Sequence, residues 1–196
     1  MQETRTKVLR TLGVLAVLAA FAATGVFSAF SSQTDNPGNV VTAGTVTLSD
    51  DDGGSAIYSL TAAKPGDSEA SCIEVTYDGT LDSTVKLFVP SSIGDLGEHV
   101  DLTIEPGSQA PGFPSCGGFT PDAGGALYDG TLDDFAAAHS SYANGLADNP
   151  GTSATAWTTD DTVVYRVTAT LAADTPADAQ GDSTGAHALR WEAQNQ

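Results

Sequence analysis

The sequence predicts an all-β fold: an antiparallel two-sheet, jelly-roll-like sandwich with one inserted short helix. Three observations carry this. Short runs of alternating apolar and polar residues recur down the chain, the period of half-buried strands. Clusters of Gly, Pro, Asp and Asn separate them at the spacing of an all-β domain. Only one stretch, opening at Thr131, has apolar residues at helical spacing. Seven or eight strands are expected, and an immunoglobulin-like arrangement is the alternative, because strand order is not written in the alternation.

Asn39 to Leu48 is the first strand candidate, interrupted at Ala43-Gly44. Asp50-Asp51-Asp52-Gly53-Gly54 is a turn, Ala56 to Thr61 a short strand, and Pro65-Gly66-Asp67 closes it. In Ser71 to Tyr77, the residues Ile73, Val75 and Tyr77 share a core face, and Asp78-Gly79 turns the chain. Val85, Leu87 and Val89 form the next face, then Val100, Leu102 and Ile104. Pro106 to Gly125 reads as a long loop, followed by a brief strand at Ala126 to Tyr128 and a turn at Asp129-Gly130. The helix is capped by Thr131, with Asp133 and Asp134 where the helix dipole favours negative charge. Leu132, Phe135, Ala136, His139, Tyr142, Ala143 and Leu146 form its apolar stripe, and Gly145 and Asn149-Pro150-Gly151 mark its end. Thr162 to Leu171 is the clearest strand; Val163, Tyr165, Val167, Ala169 and Leu171 share one face. After a loop over Asp174 to Gly185, the residues His187, Leu189 and Trp191 alternate with Ala188, Arg190 and Glu192 in a terminal strand.

The N-terminus reads as a secretion signal. Arg5, Lys7 and Arg10 precede an uncharged run from Thr11 to Ser28, and Ser28-Ala29 gives a small-residue exit. Cleavage by signal peptidase is expected between Ala29 and Phe30, dividing the chain into a signal (1–29), an N-terminal segment (30–48) and a sandwich domain (49–196). A retained membrane anchor is the alternative, since the uncharged run approaches a bilayer crossing. The whole chain has a formal charge of −18, from 7 basic and 25 acidic residues. Removing the signal takes three of the 7 basic residues and one of the 25 acidic ones, leaving a still more acidic domain. Such a surface repels nucleic acid and anionic lipid, so no nucleic-acid partner is expected.

Both cysteines, Cys72 and Cys116, lie in the exported part. An even count in an oxidising compartment predicts one disulfide. Closing so long a loop stabilises by roughly 4 kcal/mol in the chain-entropy picture.

No catalytic constellation is legible, and neither a metal nor a cofactor is expected. His99, His139 and His187 form no H-E-x-x-H pair, and there is no G-x-S-x-G elbow, phosphate loop or dinucleotide fingerprint. His139 sits on the apolar helix stripe and reads as core. The Asp50–Asp52 turn has carboxylates that suit calcium, but it lacks the spaced ladder and distal Glu of an EF-hand, and it reads as a solvated turn. Trp157 and Trp191 read as core or sheet-face aromatics.

Gly25-Val26-Phe27-Ser28-Ala29-Phe30-Ser31-Ser32, followed by Asn39-Val40-Val41-Thr42-Ala43-Gly44-Thr45-Val46-Thr47-Leu48, resembles the TasA/camelysin family, whose precursors carry a SipW-type signal peptide. The match is strong over residues 25–48. It is looser around Cys72-Ile73-Glu74-Val75-Thr76-Tyr77, Pro114-Ser115-Cys116-Gly117-Gly118-Phe119 and Trp191-Glu192-Ala193-Gln194-Asn195. The resemblance implies a jelly-roll sandwich at the cell surface or in a biofilm matrix, in some members assembled into fibres. In such fibres the mature N-terminal segment completes a neighbour's sheet. Here Val40, Val41, Val46 and Leu48 would be the assembly residues, in a head-to-tail homo-oligomer. A non-polymerising surface adhesion or binding protein is a second reading. A secreted camelysin-like metallopeptidase is a third, although no zinc motif carries that activity over.

Overall fold

A computed structural model describes residues 42–110, 112–151 and 154–196. It is an antiparallel two-sheet sandwich with a single short α-helix. The strands are β1 (Leu48–Asp50), β2 (Ser68–Tyr77), β3 (Ser83–Phe88), β4 (Val100–Ser108), β5 (Thr120–Pro121), β6 (Tyr128–Thr131), β7 (Leu146–Asp148), β8 (Asp161–Leu171) and β9 (Arg190–Asn195). Helix α1 spans Leu132–Ala138. The larger sheet runs β1-β2-β8-β4, with both β5 and β6 paired to β4; the smaller runs β7-β3-β9.

The alternation in the sequence positions this core. In β8 the odd-numbered residues Val163, Tyr165, Val167, Ala169 and Leu171 are buried. The register sets Ile73 opposite Tyr165 and Val75 opposite Val163 on one side, and Leu102 opposite Ala169 on the other. The smaller sheet contributes Val85 and Leu87, and Trp157, Leu132 and Phe135 are fully enclosed between the layers. Large side chains from both inner faces thus leave water together, the principal favourable term in folding.

Several elements differ from their expected bounds. The helix stops at Ala138, because Tyr142 turns outward to donate its hydroxyl to the Thr84 carbonyl at 3.0 Å. Asn144 Oδ1 meanwhile accepts from the Ser141 N–H at 2.8 Å, closing a 3-10 turn. Leu146 then pairs with Leu87 as strand rather than ending a helix. His139, expected in the core, is the C-cap and only half-buried; its ring lies 5.0 Å from that of Phe135. Asp129-Gly130 lies within β6, paired with Thr103 and Leu102, and is not a turn. Ala56 to Thr61 is coil, because Ile57, Tyr58 and Leu60 pack onto the core as a strap with no ladder partner. The terminal strand opens at Arg190, so His187 and Leu189 precede it. The first strand opens at Leu48, and residues 42–47 are irregular. The Pro106–Gly125 stretch carries the end of β4 and all of β5 as well as loop.

The expected cap is present: Thr131 Oγ1 accepts from the Asp134 N–H at 3.1 Å. Thr131→Ala should therefore cost about 1 kcal/mol, read as a lower urea midpoint with unchanged slope.

Candidate functional site: the sandwich seam and its edges

The compact unit holding the sandwich begins at Ala43. Thr45 bonds twice with Thr80, through its N–H to the hydroxyl and through its carbonyl from the Thr80 N–H, each at 2.9 Å. The Asp78 N–H donates to the Thr47 carbonyl at 2.9 Å. Two glycines allow this approach. A Cβ on Gly44 would strike the Leu81 side chain, and one on Gly79 would meet the Thr45 carbonyl at 2.8 Å and the Tyr77 hydroxyl. Leu48 packs against the core and Val46 is 36% exposed, so these two residues do not share an environment. Val40, Val41 and the Ala29–Phe30 cleavage site lie outside the described residues.

Beyond β1, the outer edge of β2 is covered by its own chain. Asp51 Oδ1 accepts from the Glu74 N–H at 2.8 Å, and Asp51 Oδ2 accepts from the Phe113 N–H at 3.1 Å. The Cys72 N–H donates to the Pro114 carbonyl at 3.1 Å. The Cys72–Cys116 disulfide, with Cα atoms 5.1 Å apart, fastens the same loop to the strand. The predicted disulfide is thus present, and it helps to cover a sheet edge that would otherwise template another strand.

Strand β9 is the contrast. It is the edge of the smaller sheet and has six residues, whereas β1, β5, β6 and β7 have two to four. The Gln196 N–H donates to the Asp82 carbonyl, which places even-numbered residues in the β3 ladder. The N–H groups of Trp191, Ala193 and Asn195 therefore point away from β3.

Two hollows follow the seam beside this edge. The smaller, about 250 Å³, is lined by Leu48, Ile57, Ile73, Val75, Leu189 and Trp191 among others. The larger, about 630 Å³, lies under the strap and the 182–189 loop, over Val100, Ala169 and Leu171. Strap and loop are clasped where Tyr58 Oη meets His187 Nε2 at 2.6 Å. His187 Nδ1 lies 3.0 Å from the Gly185 carbonyl, which can only accept, so Nδ1 carries a proton there. Burial pushes the Tyr58 phenol up, so it remains a donor at neutral pH. Asp50 lines the smaller hollow, and burial and then the Asp52 carboxylate raise its carboxyl; Asp52 lines both hollows. Asp52 Oδ1 also caps the turn, accepting from the Gly54 N–H at 2.5 Å.

The histidines lie apart. His99 sits 3.4 Å from Glu98, His139 Nδ1 is 2.7 Å from the Asn144 carbonyl, and His187 is in the clasp. Among the described residues no three His, Cys, Asp or Glu side chains converge to hold a metal ion. Among them, too, no helix is long and apolar enough to cross a membrane.

Asp148 is the partly buried carboxylate of the interior, accepting from the Tyr165 hydroxyl at 2.9 Å. Burial raises its carboxyl, only partly opposed by the bond from Tyr165. The folded state therefore holds this proton more tightly than the unfolded chain, and stability falls as pH rises through the folded-state value. Asp148→Asn should melt higher than wild type at neutral pH, the gain shrinking as pH falls toward the ordinary Asp range. Thermal melts across that range check the sign.

The chain matches no protein-family model, and no curated protein matches it.

Proposed function

We propose that this is an exported structural subunit of the cell surface or an extracellular matrix, joined to neighbouring copies by strand addition from its N-terminal segment. The carrying observation is the contrast between edges: β2 is covered by the disulfide loop, while among the described residues no strand pairs with the outer side of the six-residue β9, beside a seam that includes Ile57, Ile73, Val75 and Leu189. An added strand would take its main-chain bonds from β9 and lay alternate side chains into the seam. The disulfide fits an oxidising compartment, as export requires. The likeness of residues 25–48 to the TasA/camelysin family belongs to the same reading.

Residues 43–48 are engaged within their own domain, so the donor is the stretch that precedes them, including Val40 and Val41. Negative-stain microscopy of exported protein should show filaments. Deleting residues 30–42 should abolish them with circular dichroism unchanged. Ala193→Pro, which removes an outward N–H that no described residue accepts, should also abolish them. Filaments that persist in both variants would refute strand addition at β9.

A further inference from the structure

We propose that the larger hollow is a binding site for a small organic cation with an apolar body, such as an alkylammonium compound. This goes beyond the structural role and does not depend on filament formation. Among the described residues the smaller sheet has three strands, and over Val100, Ala169 and Leu171 the cover is coil, which leaves the hollow. Ala169 keeps the floor low where its neighbours on β8 and β4 are larger. Ile57, Leu60, Leu96 and Leu189 give an otherwise mixed lining its apolar wall, alongside polar residues such as Ser59 and Thr184, and about 630 Å³ falls within the range of sites for small organic ligands.

The sign of the ligand's charge follows from the remaining lining. Asp52 and Asp182 supply carboxylates, and among the described residues no Lys or Arg lines the hollow. His187 and Tyr58, the other polar rings of the lining, are hydrogen-bonded to each other in the clasp. An anionic amphiphile would bring its charge to carboxylates within a chain of formal charge −18. A neutral one would gain only from burial of its apolar part. A cation gains from burial and from the field together.

The test is calorimetric titration of the full-length chain at low ionic strength. The probes are octyltrimethylammonium, octyl sulfate and octyl glucoside, each kept below its micelle concentration. The ammonium probe should bind saturably at one site, about tenfold or more tighter than the other two, and weaken with added salt. Asp182→Asn, at an exposed position, should weaken the ammonium probe by about threefold or more and leave octyl glucoside unchanged. Ala63→Trp should fill the hollow and abolish binding of all three. Equal affinity for the three probes would overturn the charge assignment. Ammonium binding indifferent to Asp182→Asn would place it elsewhere on the acidic surface and overturn the site, and this arm decides the matter if Ala63→Trp does not fold.

Discussion

Removing the disulfide, as Cys72→Ala with Cys116→Ser, should lower stability by about 2–5 kcal/mol and make the protein associate with itself. The first effect is the loss of a cross-link between residues 44 apart in sequence. The second is local. Among the described residues, the loop that carries Phe113 and Pro114 would then be held by the Pro114 carbonyl on the Cys72 N–H, by the Asp51 carboxylate bridge and by Phe113 against the core. These bonds are individually modest and partly solvated, and each contributes about 1 kcal/mol. Once the loop lifts, the N–H groups of Cys72 and Glu74 face water on an open strand. Urea denaturation should show the lost stability, and sedimentation should show association that grows with concentration. A variant equally stable and strictly monomeric would show that the loop does not shield the edge.

Trp157→Ala should be the most damaging single change, at about 3–5 kcal/mol. Its ring is fully enclosed. Its backbone exchanges both hydrogen bonds with Ser83, at 2.8 and 3.0 Å, and its indole N–H donates to the Asp148 carbonyl at 2.7 Å. It thus joins the start of β3 to the end of β7. Deleting the ring leaves a cavity beside β3 and β7 and removes the indole's bond to the Asp148 carbonyl. Hydrogen exchange should quicken in β3 and β9 while β8, central in the larger sheet, stays protected. Trp157→Phe should recover most of the stability by restoring bulk without the N–H bond. If Phe is as costly as Ala, the bond to Asp148 matters more than the enclosed volume.

The long strands were legible because each has a buried face and a wetter one. In β8 the alternation runs from Tyr165 to Leu171, broken before it only by the buried Val164, and β2, β3 and β4 follow the same rule. What escaped was set by tertiary partners. Residues Leu132 to Leu146 carry a helical stripe, but Leu87 offers Leu146 a ladder and Thr84 offers Tyr142 an acceptor, so the helix gives way after two turns. Ala56 to Thr61 has strand-like residues yet finds no neighbouring strand. The two cysteines foretold the bond, and their location gave its redox logic, but nothing local showed that it fastens a loop over a strand edge. The Tyr58–His187 clasp joins residues 129 apart in sequence, and no spacing rule brings them together. Asp51 looked like one member of a solvated acidic turn; its two oxygens are spent on backbone N–H groups of β2 and the disulfide loop.

The unequal lengths of the edge strands also bear on the shape of any assembly. A subunit with one tail to give and one long edge to receive is a bifunctional monomer in the polymer chemist's sense. Under the proposed strand addition, each copy consumes one reactive end and presents one, so growth is linear and every junction points the same way. Branching needs a third reactive group. The covered edge of β2 is a second acceptor withheld from that count, and under the proposed strand addition reduction of the disulfide would expose it, so that an otherwise linear filament would branch.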